Sequence, residues 1–418
     1  MLDYSKIPKR IIACIDMVSF YASCIAVLHD LDVRKVPIAV VGNLQQKGSV
    51  VLAASPVAKK KFNVRTGTRL YEIPNHPDIQ LFEPKMKYFI QMSMAVTQIL
   101  HKYAPPESIK VYSVDEIFID LTGSERLFGD PEITIKNIQK EIFDTLQLQS
   151  SAGMGENILM SKLALDLEGK KSGFARWYYE DIPTKLWPVA PLSEMWGIGA
   201  NMERNLNRMG IYKVGDIANF PLKMLEESFG VMGNQLYYHS YGLDYSTIHA
   251  PAEDKQISYG KSQMLMRDYS IEEIQVVILE MCEDVAKRSR DAFQAGRTIT
   301  LGIGYSRNAF GGGFHRSRTI EEATNDTLTI YKVCLELLKE HSQPKPVRHV
   351  SISITKLEDE HSMQLSFFEE NKVKKRKLSE AMDHIRNKYG STALLRAVSY
   401  TEAGTSVNRA KLVGGHKG

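Results

Sequence analysis

Three acidic residues stand where carboxylates could bind a metal ion. Asp16 lies at the end of an apolar run, and Asp115 and Glu116 interrupt the stretch Lys110–Thr122 much later in the chain. If both segments are neighbouring strands, their ends carry three carboxylates close together. Shielded carboxylates repel one another unless a cation lies between them, so such a cluster predicts a metal site. Oxygen ligands of this kind favour Mg²⁺, with Mn²⁺ as an alternative.

The same acids have a simpler interpretation. Asp16 would cap a strand end, and Asp115 and Glu116 would form a polar turn. Taken alone, the three residues favour this second interpretation, because turns are commonly polar. The choice therefore depends on the segments around them.

The first 165 residues alternate short apolar runs with helical stretches, which indicates an α/β or α+β unit. Helices are predicted over Met86–Tyr103 and over Pro131–Leu148, the second with Asp130 as its N-cap. The predicted strands are Arg10–Ile15, Pro37–Gly42, Val50–Ala54, Val111–Val114, Ile117–Leu121 and Ser151–Met154.

The strand pattern stops near residue 175, where short helical stretches separated by Gly and Pro predict a small helical module. Beyond residue 255 the order becomes strand, helix, strand, strand, helix, strand, which predicts a four-stranded sheet with helices on one face. Ser270 and Glu273 form a capping box at the first of these helices. The six segments are Ile257–Met266, Ser270–Gln294, Thr298–Tyr305, Phe314–Ile320, Glu321–His341 and Val347–Thr355.

Composition narrows the class of protein. The chain is 43% hydrophobic and 24% charged, as in ordinary globular proteins, and no apolar run is long enough to cross a membrane. Its four cysteines lack metal-binding spacing and predict reduced thiols in a cytoplasmic protein. The net charge of +4 is modest, but basic residues concentrate near the C-terminus. The cluster at 372–377 is either a solvated helix face or a DNA contact.

Three motifs carry a resemblance to a known family. They are Cys-Ile-Asp-Met-Val-Ser-Phe-Tyr-Ala-Ser (14–23), Tyr-Ser-Val-Asp-Glu-Ile-Phe-Ile-Asp-Leu-Thr (112–122), and Trp-Gly-Ile-Gly (196–199) with the pattern that follows it to Ala218. In that order they resemble the two metal motifs and the thumb of the Y-family translesion DNA polymerases. The resemblance spans residue 1 to about residue 368 and is closest to the UmuC-like bacterial branch.

The resemblance implies an α+β multidomain protein shaped as a right-hand polymerase. Its parts would be a ferredoxin-like palm, small fingers, a helical helix-hairpin-helix thumb and a β-α-β-β-α-β little finger. The implied bounds are palm at 1–28 and 82–170, fingers at 29–81, thumb at 171–245, little finger at 255–360, and a clamp-binding peptide with a basic tail at 361–418.

The implied activity is error-prone, template-directed DNA synthesis past damaged bases, in DNA repair and SOS mutagenesis. Two Mg²⁺ ions would be held by Asp16, Asp115, Glu116 and the Met17 carbonyl. One ion would lower the pKa of the primer 3′-hydroxyl, and the other would stabilise the leaving pyrophosphate. Ser113 would orient the phosphates or the primer end, or would serve only as a turn hydroxyl.

The incoming dNTP would meet further residues in this family. Tyr21 falls at the position whose ring excludes a ribose 2′-hydroxyl, while its neighbour Phe20 would contact the nucleotide or pack inward. A short helix capped by Ser55 would direct Lys60 to the triphosphate, unless its lysine run is simply solvated. Lys162 matches the second of two family lysines that face the triphosphate.

The chain also departs from the family pattern. Ile158 replaces the first triphosphate lysine, and Val57 replaces a phosphate-binding tyrosine of several relatives. Val18 and Ile25 stand where many relatives carry acids. These departures leave open a weaker grip on the triphosphate.

DNA and protein partners are implied as well. Backbone N–H groups of Gly197, Ile198 and Gly199 would bind a DNA phosphate at a helix start, or form a plain turn. The segment Gln364, Leu365, Ser366, Phe367 and Phe368 resembles the peptide that binds the bacterial sliding clamp; otherwise it is a terminal strand packed on the sheet. An accessory protein is a further candidate partner. Basic residues on or beside the C-terminal sheet that could meet phosphates are Lys261, Arg267, Arg297, Arg307, Arg316, Arg318 and Arg348.

Two other functions compete with a polymerase. A catalytically weak or inactive, clamp-tethered DNA-binding protein of the same fold would agree with Ile158, Val57 and Ile25. A nucleotide cyclase built on a similar palm would leave the thumb motif and the clamp peptide unexplained. The acids together with Tyr21 favour the polymerase.

Overall fold

The computed structural model of the chain describes residues 4–248, 257–360 and 370–417. It comprises two compact units. The first covers Met1–Pro251 together with His416–Gly418, and the second covers Ala252–Gly415.

The first unit combines two sheets with many short helices. Its strands are β1 (Ile12–Met17), β2 (Ile38–Val41), β3 (Val51–Ala54), β4 (Gln80–Phe82), β5 (Ile109–Val111), β6 (Glu116–Asp120), β7 (Ser150–Gly155) and β8 (Phe174–Arg176). Its helices are α1 (Phe20–Leu28), α2 (Pro56–Phe62), α3 (Met86–Leu100), α4 (Glu125–Phe128), α5 (Pro131–Leu146), α6 (Ile158–Ala164), α7 (Lys170–Ser172), α8 (Ala200–Arg208), α9 (Val214–Ala218), α10 (Leu222–Phe229) and α11 (Val231–Ser240). A π-helical turn, Leu165–Gly169, connects α6 to α7.

The main sheet has the strand order β5-β6-β1-β7-β8, with β1 antiparallel to both of its neighbours. Residues Ile12–Ile15 of β1 are all almost completely buried. Because successive side chains of a strand point to opposite faces, both faces of β1 must be covered. Asp16, near the C-terminal end of β1, is the one residue of the strand that is not fully buried, since Met17 after it is again only 2% exposed.

Glycines of β7 allow α6 and the π-helical turn to lie directly on the sheet. A Cβ at Gly153 would come 2.1 Å from the backbone nitrogen of Leu165, and one at Gly155 would come 2.5 Å from the Cβ of Met160. No side chain larger than hydrogen fits at either position without moving the helix. This close contact sets how near α6 and the following turn come to β1.

The smaller sheet of the first unit has the order β3-β2-β4. The predicted short helix is present as α2, with Pro56 at its first position and Ser55 accepting a hydrogen bond from the Ala58 N–H at 3.3 Å. The predicted helix after Asp130 is also confirmed, since the Asp130 carboxylate accepts hydrogen bonds from two backbone N–H groups at the start of α5. The strand predicted over Val111–Val114 is wrong, because β5 spans Ile109–Val111 and shares only Val111 with it.

Helices α8 to α11 form the helical module predicted after residue 175. Their core includes Trp177, Tyr179, Leu206 and Leu236, all buried. It is continuous with Leu159 and Leu163 of α6, so this module packs against the helix that lies on the main sheet.

The second unit contains the predicted β-α-β-β-α-β order. Its main elements are β9 (Ser258–Tyr269), α12 (Ile271–Asp291), β10 (Gln294–Tyr305), β11 (Gly313–Thr324), α13 (Thr327–His341) and β12 (Val347–Asp359). The strands form an antiparallel sheet in the order β11-β10-β12-β9. The capping box of Ser270 and Glu273 is confirmed at the start of α12.

One predicted helix boundary in this unit is wrong. Residues 321–324 continue β11 instead of beginning the helix predicted over Glu321–His341. The helix begins only after Asp326, whose carboxylate accepts a hydrogen bond from the Thr329 N–H at 2.8 Å. Asp326 is the stronger start signal, because its side chain satisfies a backbone donor that the first helical turn leaves unpaired.

The last part of the chain is folded onto the second unit. It contains α14 (Glu370–Tyr389), α15 (Ser406–Arg409) and the two-residue strand β13 (Leu412–Val413), and a further short strand, β14 (His416–Lys417), follows. On α12, Glu280 accepts hydrogen bonds from the Thr405 N–H and hydroxyl at 2.9 and 2.7 Å. Such burial of a carboxylate is tolerated because its partners are present.

Replacing Gly153 by Ala should destabilise the first unit by about 1–3 kcal/mol, because the new methyl group has no space against the Leu165 backbone. Thermal unfolding followed by circular dichroism would measure the change. Gly48→Ala is the matched control, since a Cβ at Gly48 meets nothing within 4 Å. Equal unfolding temperatures for both variants would contradict the close packing of α6 on β7.

Candidate active site

Asp16 and Glu116 face each other across two paired strands. In the register of β1 and β6, Asp16 lies directly opposite Glu116. Their side chains are only 15% and 14% exposed. Two shielded carboxylates therefore come together where β1 leaves the buried part of the sheet.

This proximity changes the protonation of both acids. Burial, followed by the hydrogen bond with Glu116, raises the pKa of Asp16 from 3.8 to about 7. Burial also acts to raise the pKa of Glu116, but hydrogen bonds with Asp16 and Lys162 outweigh it, so the pKa of Glu116 is lowered. The pair behaves as two carboxylates that resist being ionised together.

Two lysines compensate this negative charge. The ammonium of Lys162, 6% exposed, pairs with the Glu116 carboxylate and lies 3.2 Å from Asp166. The Lys170 ammonium lies 3.1 Å from a carboxylate oxygen of Asp16 and 2.9 Å from one of Asp166. The π-helical turn between them places Lys170 on the carboxylates, and such turns often occur at functional sites.

The turn between β5 and β6 holds the third predicted acid. The Ser113 hydroxyl donates to the Asp115 carboxylate at 2.6 Å and accepts from the Glu116 N–H at 3.1 Å. The Met17 N–H donates to the Asp115 carbonyl at 2.9 Å. Asp115 is thus joined to the end of β1 through its backbone, and Ser113 orders the turn.

The donor set suits a hard divalent cation. Asp16 and Glu116 supply oxygen ligands in a shielded place, and a cation there would offset the burial and the nearby acid that raise the pKa of Asp16. Across residues 4–248, 257–360 and 370–417, no three His, Cys, Asp or Glu side chains are grouped so that they could hold a metal ion. The structure thus brings two of the three predicted carboxylates together and keeps Asp115 on the adjoining turn.

The two predicted aromatic residues take different positions. Phe20 is buried, 3% exposed, and therefore packs inward. Tyr21 stacks on Phe89 with ring centroids 4.5 Å apart. Burial and then the Asp115 charge raise the pKa of Tyr21, so its ring lies within electrostatic reach of the acidic turn.

Among the lysines of α2, Lys59 rather than Lys60 lies nearest the carboxylates. The Lys59 ammonium donates to the Ser19 hydroxyl at 2.9 Å. Burial lowers the pKa of Lys59, and the Asp16 charge partly opposes that effect. Lys60 is exposed, and both lysines line the same open cleft together with Pro56, Arg65 and Thr66.

The predicted glycine turn precedes a helix, as the DNA-binding prediction requires. Gly199 is the N-cap of α8 and offers no side chain to cap it, and Gly197 has a φ of 93°. Ile198 is buried in the core of the helical module. The N–H groups at the start of α8 therefore have no side-chain cap.

Most of the basic residues predicted to meet DNA from the second unit are paired with acids. Arg318 lies 2.7 Å from both Glu336 and Glu340 of α13, so it points to the helix side of the sheet. Arg316 shares that side by strand alternation, and Arg297 pairs with Glu358 at 2.6 Å. Lys261, Arg267 and Arg348 also pair with carboxylates. Fewer positive charges of the second unit are therefore available to bind DNA phosphates than the number of basic residues in the sequence indicated.

The predicted clamp peptide, Gln364, Leu365, Ser366, Phe367 and Phe368, lies outside the described residues. None of the helices in the described part of the chain could span a lipid bilayer.

Sequence reasoning missed Lys59, Asp166 and Lys170. The spacing of Lys162, Asp166 and Lys170 places all three on one helical face, and i,i+4 pairing of Lys with Asp was readable in advance. That Lys162 pairs with Glu116 and Lys170 with Asp16 was not readable, because these contacts depend on how the helix and the π-helical turn lie on the sheet.

Three features together are typical of the class of right-hand nucleic-acid polymerases. They are a sheet with paired carboxylates at a strand end, a helical module with a glycine turn, and a β-α-β-β-α-β unit. Comparisons with known proteins agree. Residues 15–166 match the impB/mucB/samB family, 254–367 match the C-terminal domain of that family, and 193–244 match the thumb domain of DNA polymerase iota.

Individual proteins match most or all of the chain. UvrX of Bacillus subtilis (strain 168), whose assignment to UV-damage repair is provisional, is 54% identical and is covered over 100% of both chains. DNA polymerase IV 2 of the same organism is 36% identical over 98% of this chain and 99% of its own. A solved Y-family DNA polymerase chimera of Dbh and Dpo4 has a TM-score of 0.65 at 19% identity, over 83% of this chain and 98% of its own.

The chain belongs to the Y-family of DNA polymerases. The predicted fold class, a multidomain α+β right-hand polymerase, is confirmed by the structural match and the thumb match.

Asp16→Asn should stabilise the metal-free protein, and more so at high pH. The folded-state pKa of about 7 exceeds the usual 3.8, so the stability linked to protonated Asp16 is full below pH 3.8 and is lost as pH rises through 7. Asn cannot ionise, so the gain in stability over the parent should be up to about 3 kcal/mol larger at pH 8 than at pH 5.

Thermal unfolding in the presence of a chelator measures this gain in stability at each pH. Asp78→Asn, at an exposed carboxylate, is the control. A gain that does not grow with pH would contradict the crowding of Asp16 and Glu116.

Proposed function

We propose that this chain extends a DNA primer along a template by transferring nucleotides from dNTPs at the Asp16–Glu116 site. The observation that carries the proposal is the pairing of these two shielded carboxylates across β1 and β6. Its Y-family relatives support synthesis past damaged bases as the setting.

Asp16 and Glu116, with Asp115 on the adjoining turn, would hold divalent cations, and Mg²⁺ fits their oxygen ligands best. Bound ions of this kind make the primer hydroxyl more acidic and offset charge on the triphosphate. The chain's own task is to fix these oxygens in place. Lys162 does so for Glu116, because their ion pair is almost completely shielded from water.

Positive charge for the triphosphate comes from two sides of the carboxylates. Lys170, 43% exposed, contacts Asp16 from the start of α7, and Lys59 of α2 contacts Ser19 within electrostatic reach of Asp16. Asp166 holds Lys170 in position at 2.9 Å. These two lysines would take the role expected of the missing cation at Ile158, with the exposed Lys60 at the edge of the cleft.

Tyr21 would exclude ribonucleotides. Its ring is stacked on Phe89 and close enough to Asp115 for the acid to raise its pKa. A ring fixed by stacking cannot easily move aside for a 2′-hydroxyl, so the selection would be steric.

Two surfaces suit the DNA backbone. The start of α8, at Gly197 and Gly199, offers uncapped N–H groups to a phosphate. In the second unit, the sheet face away from α12 and α13 carries small residues across all four strands. Its cross-strand rows include Ser317, Thr300, Ser353 and Gly260, and Thr319, Thr298, Thr355 and Ser258. Small hydroxyl groups allow close, sequence-independent contact with a sugar-phosphate backbone.

A sliding clamp is proposed as a protein partner, on the sequence of Gln364, Leu365, Ser366, Phe367 and Phe368 alone. Leu365 and the adjacent phenylalanines are suited to an apolar groove, and Gln364 before them to its polar edge.

Asp115→Ala/Glu116→Ala should lower the rate of primer extension in the presence of Mg²⁺ at least about a hundredfold. Removing charge stabilisation at a reacting centre typically costs that much. Single-turnover extension of a labelled primer measures the rate. Glu226→Ala/Glu227→Ala removes an exposed acidic pair from α10 and should extend at the parental rate.

Two results would contradict the proposal. Extension by Asp115→Ala/Glu116→Ala at the parental rate would place the chemistry elsewhere. No extension by the folded parent, with DNA binding retained, would favour the catalytically inactive DNA-binding protein instead.

A further inference from the structure

Helix α14 adds a layer to the second unit beyond the family match, which ends at residue 367. One side of the helix is anchored to α12. Asp383 pairs with Arg290 at 2.7 Å, with both side chains 9% exposed, and Arg386 pairs with Glu283 at 3.2 Å. Breaking such buried pairs is costly, so the orientation of α14 about its own axis is fixed.

The anchor also fixes where α14 lies. Glu283 and Arg290 are on the side of α12 opposite Ile278 and Met281, which belong to the core against the sheet. Helix α14 therefore packs on the side of α12 that is remote from the sheet. Its outer surface is on the far side of the second unit from the Ser/Thr face, the sheet face that carries Ser317, Thr300, Ser353 and the neighbouring small residues.

The outer side of α14 carries unpaired positive charge. Lys374, Lys377 and Lys388 are exposed and share one side of the helix by their spacing. None of them forms an ion pair with any residue that the structure describes, whereas Arg376 on the same helix pairs with Glu360 and Glu380. The three lysines extend over about 21 Å at 1.5 Å per residue.

Aromatic and apolar groups border these lysines. Tyr389 is 67% exposed and its ring lies 5.2 Å from the Lys388 ammonium. Leu378 is 62% exposed. An exposed ring beside a row of cations is the combination that binds single-stranded nucleic acid, in which bases stack and the backbone follows the charge.

We propose that the outer side of α14, defined by Lys374, Lys377, Lys388 and Tyr389, binds single-stranded DNA. Duplex DNA offers no free base to the Tyr389 ring, so the ring favours the single strand. The surface lies opposite the Ser/Thr face, so it would hold a different segment of nucleic acid from the one at that face. The unpaired template strand has the required chemistry.

The test measures binding of a fluorescent oligothymidylate by anisotropy over a range of salt concentrations, without dNTP or divalent ions. Lys374→Gln/Lys377→Gln/Lys388→Gln should bind roughly tenfold more weakly at 0.1 M salt, and its log–log salt slope should be shallower by about 2. Tyr389→Ala should bind roughly fivefold or more weakly with an unchanged slope, because stacking is not ionic.

Lys332→Gln/Lys339→Gln/Lys411→Gln is the matched control, since it removes the same charge from exposed positions elsewhere in the second unit. Circular dichroism melting checks that every variant is folded. A control that weakens binding as much as the α14 variant would overturn the proposal, and so would an α14 variant that binds like the parent. An equal loss on a blunt duplex would overturn the assignment to single strands. The measurement needs no catalysis, so its result is independent of the proposed polymerase site.

Discussion

The structure of the first unit depends on holding two carboxylates together in a place that is largely shielded from water. Asp16 and Glu116 face each other at the end of β1, and burial with mutual hydrogen bonding raises the pKa of Asp16 to about 7. Such crowding is unfavourable for folding in the absence of a cation. It is tolerated because β1 is fixed between β6 and β7, and because Lys162 and Lys170 supply positive charge. The contact of Gly153 with the Leu165 backbone brings those lysines within reach.

Much of this arrangement could be predicted from local sequence signals. An apolar run ending in Asp16, and a second run beginning after Asp115 and Glu116, indicated two strands with acidic ends. The caps at Ser55, Asp130 and Ser270 were predictable because each side chain satisfies backbone donors of its own helix. These signals act within a few residues, and the structure retains them.

What the sequence did not reveal depends on contacts between distant segments. A run of lysines does not show whether Lys59 or Lys60 lies nearer the carboxylates, because only the fold brings Lys59 to Ser19. Lys170 was missed because its contact with Asp16 depends on how the π-helical turn before it lies on the sheet. Arginines of the second unit were counted as free charge, yet Arg318 and Arg297 are paired with acids from other elements. The proposed roles of these residues rest on the geometry and the family together.

The most direct test of the account is divalent-ion binding by the carboxylate pair. Electron paramagnetic resonance of free Mn²⁺ would measure binding by three proteins: the parent, Asp16→Asn/Glu116→Gln, and the exposed-acid control Asp78→Asn/Glu107→Gln. Each sample would contain dNTP and a primer–template DNA whose primer has no reactive 3′-hydroxyl. The account predicts that the parent and the control bind Mn²⁺ alike, and that Asp16→Asn/Glu116→Gln binds at least about tenfold more weakly, since loss of even an outer partner of a metal ligand costs that much. Equal Mn²⁺ binding by all three proteins would contradict it.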